Sequence, residues 1–300
     1  MSRNGSVAAV IVAAACFGTL AVFTSLAYDA GAQPLPLLTW RFALASVLLF
    51  AYLAVRRPGL VIAPIADVAR YGTLALCGYG AASICFFYAL KFADASVVAV
   101  LLYTYPAMVA VAESVFTGRT FTPLRMLAVA LTFGGCVLVL DPFASGGTVS
   151  PTGIALGLGA ALGYSVFNML SHRWLPGRSR IVLMAYTFGI ASVSIGIITI
   201  VSGGTLSTAS WDTEVWLLLG AIVLFPTFLA VVLYLRGVQH LGPSQASILS
   251  TFEPIFTIAL AAVVLGERLT LVQWMGALLV VAGVIAAERE ARPVNEIAAI

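Results

Sequence analysis

The feature that most restricts what this chain can fold into is a duplication. The stretch from Leu241 to Ala287 has a weaker copy of itself 148 positions earlier. Tyr105-Pro106 stands where Glu253-Pro254 stands, Ser96 where Ser244 does, Leu101 where Leu249 does, and Gly135 where Gly283 does. Gly118-Arg119-Thr120-Phe121-Thr122 lies over Gly266-Glu267-Arg268-Leu269-Thr270. Nearer the N-terminus the offset is 146, with Phe42, Ala45, Ser46 and Val47 over Phe188, Ala191, Ser192 and Val193. A period near half the chain means two copies of one unit, read here as residues 1–145 and 146–300.

Each unit is apolar almost throughout. The chain is 61% hydrophobic and only 9% charged, where a soluble domain carries roughly 25% charged residues. Runs of about 20 apolar residues, enough to span a bilayer, recur from end to end. We read ten spans, at 7–27, 35–55, 68–90, 94–116, 123–140, 152–173, 181–202, 214–236, 243–265 and 271–287. The first reads as a helix rather than a cleaved signal segment, since it lacks a clear A-x-A site before Tyr28 and is matched by the run starting near Gly153. The four cysteines, Cys16, Cys77, Cys85 and Cys136, fall inside these runs and read as small core residues.

Orientation follows from Lys and Arg. One side collects twelve arginines, including Arg3, Arg56, Arg119, Arg178 and Arg292, and the other holds only Lys91 and Arg268. Both termini are therefore expected in the cytoplasm. Each unit has five spans, an odd number, so the second inserts upside down relative to the first. The expected fold is an all-α integral membrane protein of ten transmembrane helices, built as two inverted five-helix repeats around a central cavity. A substrate site is expected where the halves meet.

Short loops leave no room for a nucleotide-binding domain, and no phosphate-binding Gly-x-x-x-x-Gly-Lys-Ser/Thr loop occurs. Nucleotide partners and direct ATP coupling are excluded on that reading. The net charge of +3 comes from arginines at helix ends, not from a nucleic-acid-binding patch. His172 and His240 have no carboxylate or cysteine at ligand spacing, so no metal is expected. No cofactor is called for, and no catalytic constellation stands out, so the chain does not read as an enzyme.

The polar residues inside the spans carry what chemistry there is. Glu253 is a carboxylate at mid-span beside Pro254, and such residues usually face a cavity or a partner. It reads either as a substrate-amine contact or protonatable gate, or as a structural carboxylate tied to Ser250, Thr251 or a neighbouring helix at the bend. Pro254 and its counterpart Pro106 each remove a backbone donor and permit a kink, so both are candidate hinges. Arg41, near the outer end of the second span, could attract a carboxylate, but reads rather as a snorkelling anchor beside Trp40. Tyr79, Ser83, Phe86 and Phe87 fall on one helical face, and Tyr164 and Asn168 lie one turn apart. Hydroxyls and rings with few charges suit a small zwitterionic or partly apolar substrate, and ring faces also accept planar cations.

These residues together resemble a known family. Trp40-Arg41-Phe42-Ala43 in the second span, Pro106 and Pro254, and Leu265-Gly266-Glu267-Arg268-Leu269-Thr270 followed by Trp274, Gly276 and Gly283 are similar to the EamA branch of the drug/metabolite transporter superfamily. In the first copy Arg119 stands where the family usually has glutamate, a sign that the halves have diverged. Within the superfamily the chain looks most like the bacterial aromatic amino-acid and methyl viologen exporter type. The resemblance implies spans 1–4 and 6–9 around the cavity with 5 and 10 as outer supports, and alternating access by rocking of one half on the other. Matched to it at mid-depth are Tyr79, Ser83, Tyr103, Tyr164, Asn168, Ser247 and Ser250, joined by Glu253, as substrate-binding residues. The resulting expectation is a monomeric or weakly dimeric bacterial inner-membrane exporter of small metabolites, aromatic and large apolar amino acids foremost, with lipid as its surroundings. A multidrug or quaternary-cation efflux protein with Glu253 as counter-charge is the alternative, and a non-transporting membrane scaffold the alternative of another class.

Overall fold

The fold was taken from a computed structural model that describes residues 3–117, 122–140, 150–174, 177–241, 246 and 249–290. Among them every regular element is helical. In chain order these are α1 (Arg3–Asp29), α2 (Pro34–Arg56), α3 (Ile65–Ala89), α4 (Ala95–Leu102), α5 (Tyr105–Thr117), α6 (Pro123–Leu140), α7 (Pro151–Trp174) and α8 (Arg180–Val201). Then come α9, continuous through Thr213–Ile222, Val223–Leu229 and Ala230–Leu241, α10 (Glu253–Leu265) and α11 (Leu271–Glu290). Seven of the described helical stretches are long and apolar enough to cross a membrane, and three shorter apolar helices cover Pro123–Val139, Glu253–Leu265 and Leu271–Ala287.

The outer faces are those of a membrane protein. Val55, Val115, Val193, Leu217 and Val263 are each at least 65% exposed, as only an apolar surrounding permits for so many large side chains. Cys77 also faces outward, whereas Cys16 and Cys136 are buried, so the cysteines are not uniformly core residues. Inside, serines and threonines return their hydroxyls to their own helices: Thr24 to Leu20 O, Thr39 to Leu35 O and Thr199 to Ile195 O, at 2.7–2.8 Å.

The packing between the two halves is reciprocal. On α2 and α8 the Phe42 and Phe188 rings stack at 5.2 Å with an interplanar angle of 14°. The Ser46 hydroxyl donates to Ala185 O at 2.9 Å, and the Ser192 hydroxyl to Thr39 O at 3.0 Å. At an offset of 146 each of these bonds is the image of the other. The same holds for α6 on α11, at an offset of 148. A Cβ at Gly135 would sit 2.6 Å from Gly276 O and 2.8 Å from Val280 N, and one at Gly283 2.9 Å from Ala128 O and 2.8 Å from Thr132 N. Such backbone-to-backbone approach is what small residues in membrane helices permit.

Polar contacts join the halves at both ends. At one end Asp67, in the first turn of α3, accepts from Arg178 Nε at 2.7 Å and Arg70 Nη1 at 2.9 Å. Beside it the Tyr186 hydroxyl donates to Val61 O and accepts from Ala63 N–H. At the other end Glu267 performs a role its motif did not announce. Gly266, at φ 70°, ends α10 in the left-handed conformation that favours glycine. Glu267 then reaches across to the start of α4, accepting from Ala95 N at 2.8 Å, Ser96 N at 3.1 Å and the Ser96 hydroxyl at 2.5 Å. The Asp94 side chain makes no capping bond there, so the cap comes from the other half of the chain. A carboxylate at a helix start meets free N–H donors and the positive end of the helix dipole. Arg119 and Ser244, the images of Glu267 and Ser96, lie outside the described residues.

Two outcomes follow. Glu267→Ala should destabilise the folded protein by about 1–2 kcal/mol, read as a lower unfolding temperature in detergent, with Glu267→Gln intermediate. Gly276→Leu would push a side chain into Gly135 O, 2.6 Å from its Cβ, and should abolish the monodisperse species in size-exclusion chromatography.

Candidate functional site

The site begins where two helices break. α4 ends at Leu102, Tyr103 and Thr104 form a turn, and α5 restarts at Tyr105. In the second half a turn at Thr251 and Phe252 precedes α10, which starts at Glu253. The sequence suggests prolines inside continuous helices. Instead, Pro106 and Pro254 occupy the first turns of restarted helices, where a missing N–H costs nothing and the fixed φ is already helical. The two breaks meet: the Tyr103 hydroxyl donates to Glu253 Oε2 at 2.7 Å and lies 3.3 Å from Ser250 O. Thr257, one turn on, donates to Glu253 O at 3.1 Å.

Tyr79 lies at the end of a wider turn. Residues Leu74–Gly80 of α3 wind as a π-helix, an insertion often found at functional sites because it re-aims side chains. Gly78 in this stretch presses on α7, where an added Cβ would lie 2.9 Å from Phe167 Cβ. The Tyr79 ring contacts Phe42 at 5.8 Å, Phe188 at 5.4 Å, Phe167 at 5.3 Å and Tyr164 at 6.1 Å. Tyr164 in turn meets Tyr105 edge-on at 4.8 Å. Rings from both halves thus converge, in the tilted and edge-to-face arrangements that aromatic quadrupoles favour.

Two small chambers open beside these rings. The first, of about 60 Å³, is lined by Tyr79, Ser83 and Tyr164 together with Arg41, Phe86 and Phe87. The second, of about 20 Å³, is lined by Tyr103, Glu253 and Thr257 with Phe17 and Ala99. Leu20, Phe86 and Leu102 line both and so divide one from the other.

Arg41 is the main correction to the sequence reading. It is not a snorkelling anchor: it is 2% exposed, with its guanidinium 5.1 Å from the Phe42 ring centroid and 5.3 Å from that of Phe87. Its Nε donates to Thr227 Oγ1 at 3.1 Å. That acceptor is prepared by Pro226, which lies in the π-helical stretch Val223–Leu229 of α9. Proline has no N–H for the Ile222 carbonyl four residues back, and the Thr227 hydroxyl donates to Ile222 O at 2.8 Å. Its oxygen is thereby oriented to receive Arg41.

The sequence-derived candidates divide accordingly. Tyr79, Ser83 and Tyr164 share one chamber, and Tyr103 and Glu253 share the other. Asn168 lines neither chamber; its amide donates back to Tyr164 O at 2.8 Å. Ser250 offers its carbonyl towards Tyr103, and its side chain lines neither chamber. Ser247 lies outside the described residues. Thr227 and Thr257 were missed. Pro226, inside an otherwise unbroken apolar run, was the signal for the first.

Comparison with known proteins agrees with this architecture. The model of the EamA-like transporter family matches residues 4–141 and again 151–287. An uncharacterized transporter of Archaeoglobus fulgidus is 28% identical over 286 residues, covering 94% of this chain and 96% of its own. The uncharacterized transporter YcbK of Bacillus subtilis is 27% identical over 278 residues, covering 89% of this chain and 87% of its own. A solved crystal structure, 18% identical, superposes with a TM-score of 0.68 over 97% of this chain and 99% of that one, a likeness of fold alone. The matched segments take in nearly the whole chain, and the protein belongs to the EamA-like transporter family, a family of membrane transporters rather than enzymes.

Proposed function

We propose that this protein exports aromatic and large apolar amino acids across a bacterial inner membrane, by alternating access between two inverted five-helix halves. The observation that carries the reading is the aromatic chamber around Tyr79, formed by rings from both halves of the chain. Rings and hydroxyls bind an aromatic side chain by stacking and edge contacts without demanding a charge. The reciprocal contacts Ser46–Ala185 and Ser192–Thr39 support a two-fold relation between the halves. With an odd number of crossings per half the second half is inverted and both termini share a side, and the arginine-rich flank makes that side the cytoplasm. The three shorter helices then complete ten crossings.

A chamber of about 60 Å³ is well below the roughly 300 Å³ at which ligand pockets begin. On this reading a substrate enters only once the chamber has widened. Movement of Leu20, Phe86 and Leu102 would join the two chambers. The restarts at Pro106 and Pro254, at the starts of α5 and α10, are where such movement would be absorbed. Efflux of an organic cation is a second reading, favoured by the Glu253 carboxylate on the aromatic-walled second chamber.

Purified protein in liposomes should take up labelled tryptophan or phenylalanine. Tyr79→Ala should slow uptake at least tenfold, and Leu278→Ala, on an exposed face, should leave it unchanged. Absence of aromatic amino-acid uptake alongside uptake of a quaternary cation that Glu253→Gln abolishes would establish the second reading instead. Pro254→Ala should reduce turnover several-fold more than it weakens binding; equal turnover would remove the hinge.

A further inference from the structure

Arg41, buried, and Glu253, half-buried, are charged-type side chains that line two adjoining chambers, one on each. Among the described residues, ion pairs tie Asp67 to Arg70 and Arg178, and none involves Arg41 or Glu253. The guanidinium has five N–H donors; Nε is committed to Thr227, and the Tyr79 phenol lies beside the group. Its remaining neighbours are ring faces, which attract a cation without satisfying its hydrogen bonds. Among the described residues the side-chain partner of Glu253 is the Tyr103 hydroxyl, on Oε2. A cation and a carboxyl, held by hydroxyls rather than by opposite charges and separated by Leu20, Phe86 and Leu102, leave each other's charge unanswered.

The geometry points to Arg41 and Glu253 as the two poles of a zwitterion clamp. Arg41 takes the carboxylate of an α-amino acid, Glu253 takes its ammonium group, and the rings around Tyr79 hold the side chain. The inference rests on the aromatic chamber being the transport site, and it makes Arg41 a specificity-determining residue. Its logic is one of desolvation. Leaving a buried charge without a partner is costly, and a ligand carrying both opposite charges relieves both poles at once. A ligand with one charge relieves one and leaves the other. The guanidinium's planar fork suits a carboxylate bidentately, as a lysine would not. The same arrangement rejects simple organic cations, because Arg41 repels what Glu253 attracts.

The test is competition against labelled phenylalanine in proteoliposomes, together with ligand-induced thermal stabilisation of the purified protein. The panel is phenylalanine, tryptophan, leucine, phenethylamine (no carboxylate) and 3-phenylpropionate (no ammonium). On the wild-type protein the clamp predicts that each single-pole analogue binds about tenfold to a hundredfold more weakly than phenylalanine, the worth of one charged hydrogen bond. Arg41→Gln should erase the preference for phenylalanine over phenethylamine and leave that over phenylpropionate; Glu253→Gln should do the reverse. The wild-type comparison needs no variant to fold. Analogues that bind as well as phenylalanine, a folded Arg41→Gln protein with its preference intact, or no zwitterion of the panel binding would each overturn the clamp. Leucine bound with these dependences, and the aromatic amino acids not bound, would retain the clamp and reject the aromatic specificity.

Discussion

The stack of Phe42 on Phe188 is the contact from which the site is assembled. These two residues lie 146 positions apart, at matching places of the repeated sequence pattern, so the stack joins corresponding points of α2 and α8. Arg41 precedes Phe42 and is carried to the centre by the same turn of α2 that buries the ring. Tyr79 rests against both stacked rings. Around them the reciprocal hydroxyl bonds of Ser46 and Ser192 fix the register of α2 on α8. A sequence that duplicates a self-complementary surface obtains two such contacts from one pattern, as a symmetric dimer does.

An apolar surrounding forbids unpaired backbone, yet the chain breaks helices at its centre. The exceptions are tolerated because each is answered locally. The Thr104 hydroxyl donates to Leu101 O at 2.7 Å beside the first break. Thr227 answers Ile222 O after Pro226, and across the second break Phe252 N–H reaches Leu249 O at 3.4 Å while Phe252 O takes Phe256 N–H at 3.0 Å. Threonine recurs because its short hydroxyl reaches a carbonyl one turn back without leaving the helix. The irregular backbone then costs little where it lies, and leaves Tyr103 and Glu253 free to bond across the halves.

Much of the fold was legible because duplication and apolar run length are properties of long stretches. The face carrying Tyr79, Ser83, Phe86 and Phe87 was read correctly from spacing alone, since all four line one chamber. Single side chains were harder. Arg41 lies seven residues after Pro34, the start of α2, hence about 10 Å inside the helix at 1.5 Å per residue. That is within reach of a snorkelling arginine, and nothing local shows that Phe87 closes the way out. The partners of Glu267 lie 171 and 172 positions away in the chain, so its motif gave a turn and not a cap. Asn168 shows the limit of spacing on its own: one turn from Tyr164, its amide donates back to Tyr164 O.

The two end contacts differ in kind, and the proposed alternating access would have to break them in turn. At one end Asp67 holds two arginines whose side chains are 35–41% exposed, with lengths of 2.7 and 2.9 Å. Exposed ion pairs are individually weak and exchange readily with water. At the other end Glu267 is bonded to two backbone N–H groups and a hydroxyl at a helix start, where the carboxylate is held by the dipole as well as by direct bonds. Opening at the Asp67 end gives up side-chain contacts that water can replace. Opening at the Glu267 end uncaps α4, the helix whose far end is the break at Tyr103. α4 thus carries the Glu267 bonds at its start and, eight residues on and just past its end, the Tyr103–Glu253 bond, so both carboxylates from the second half act on the same short helix.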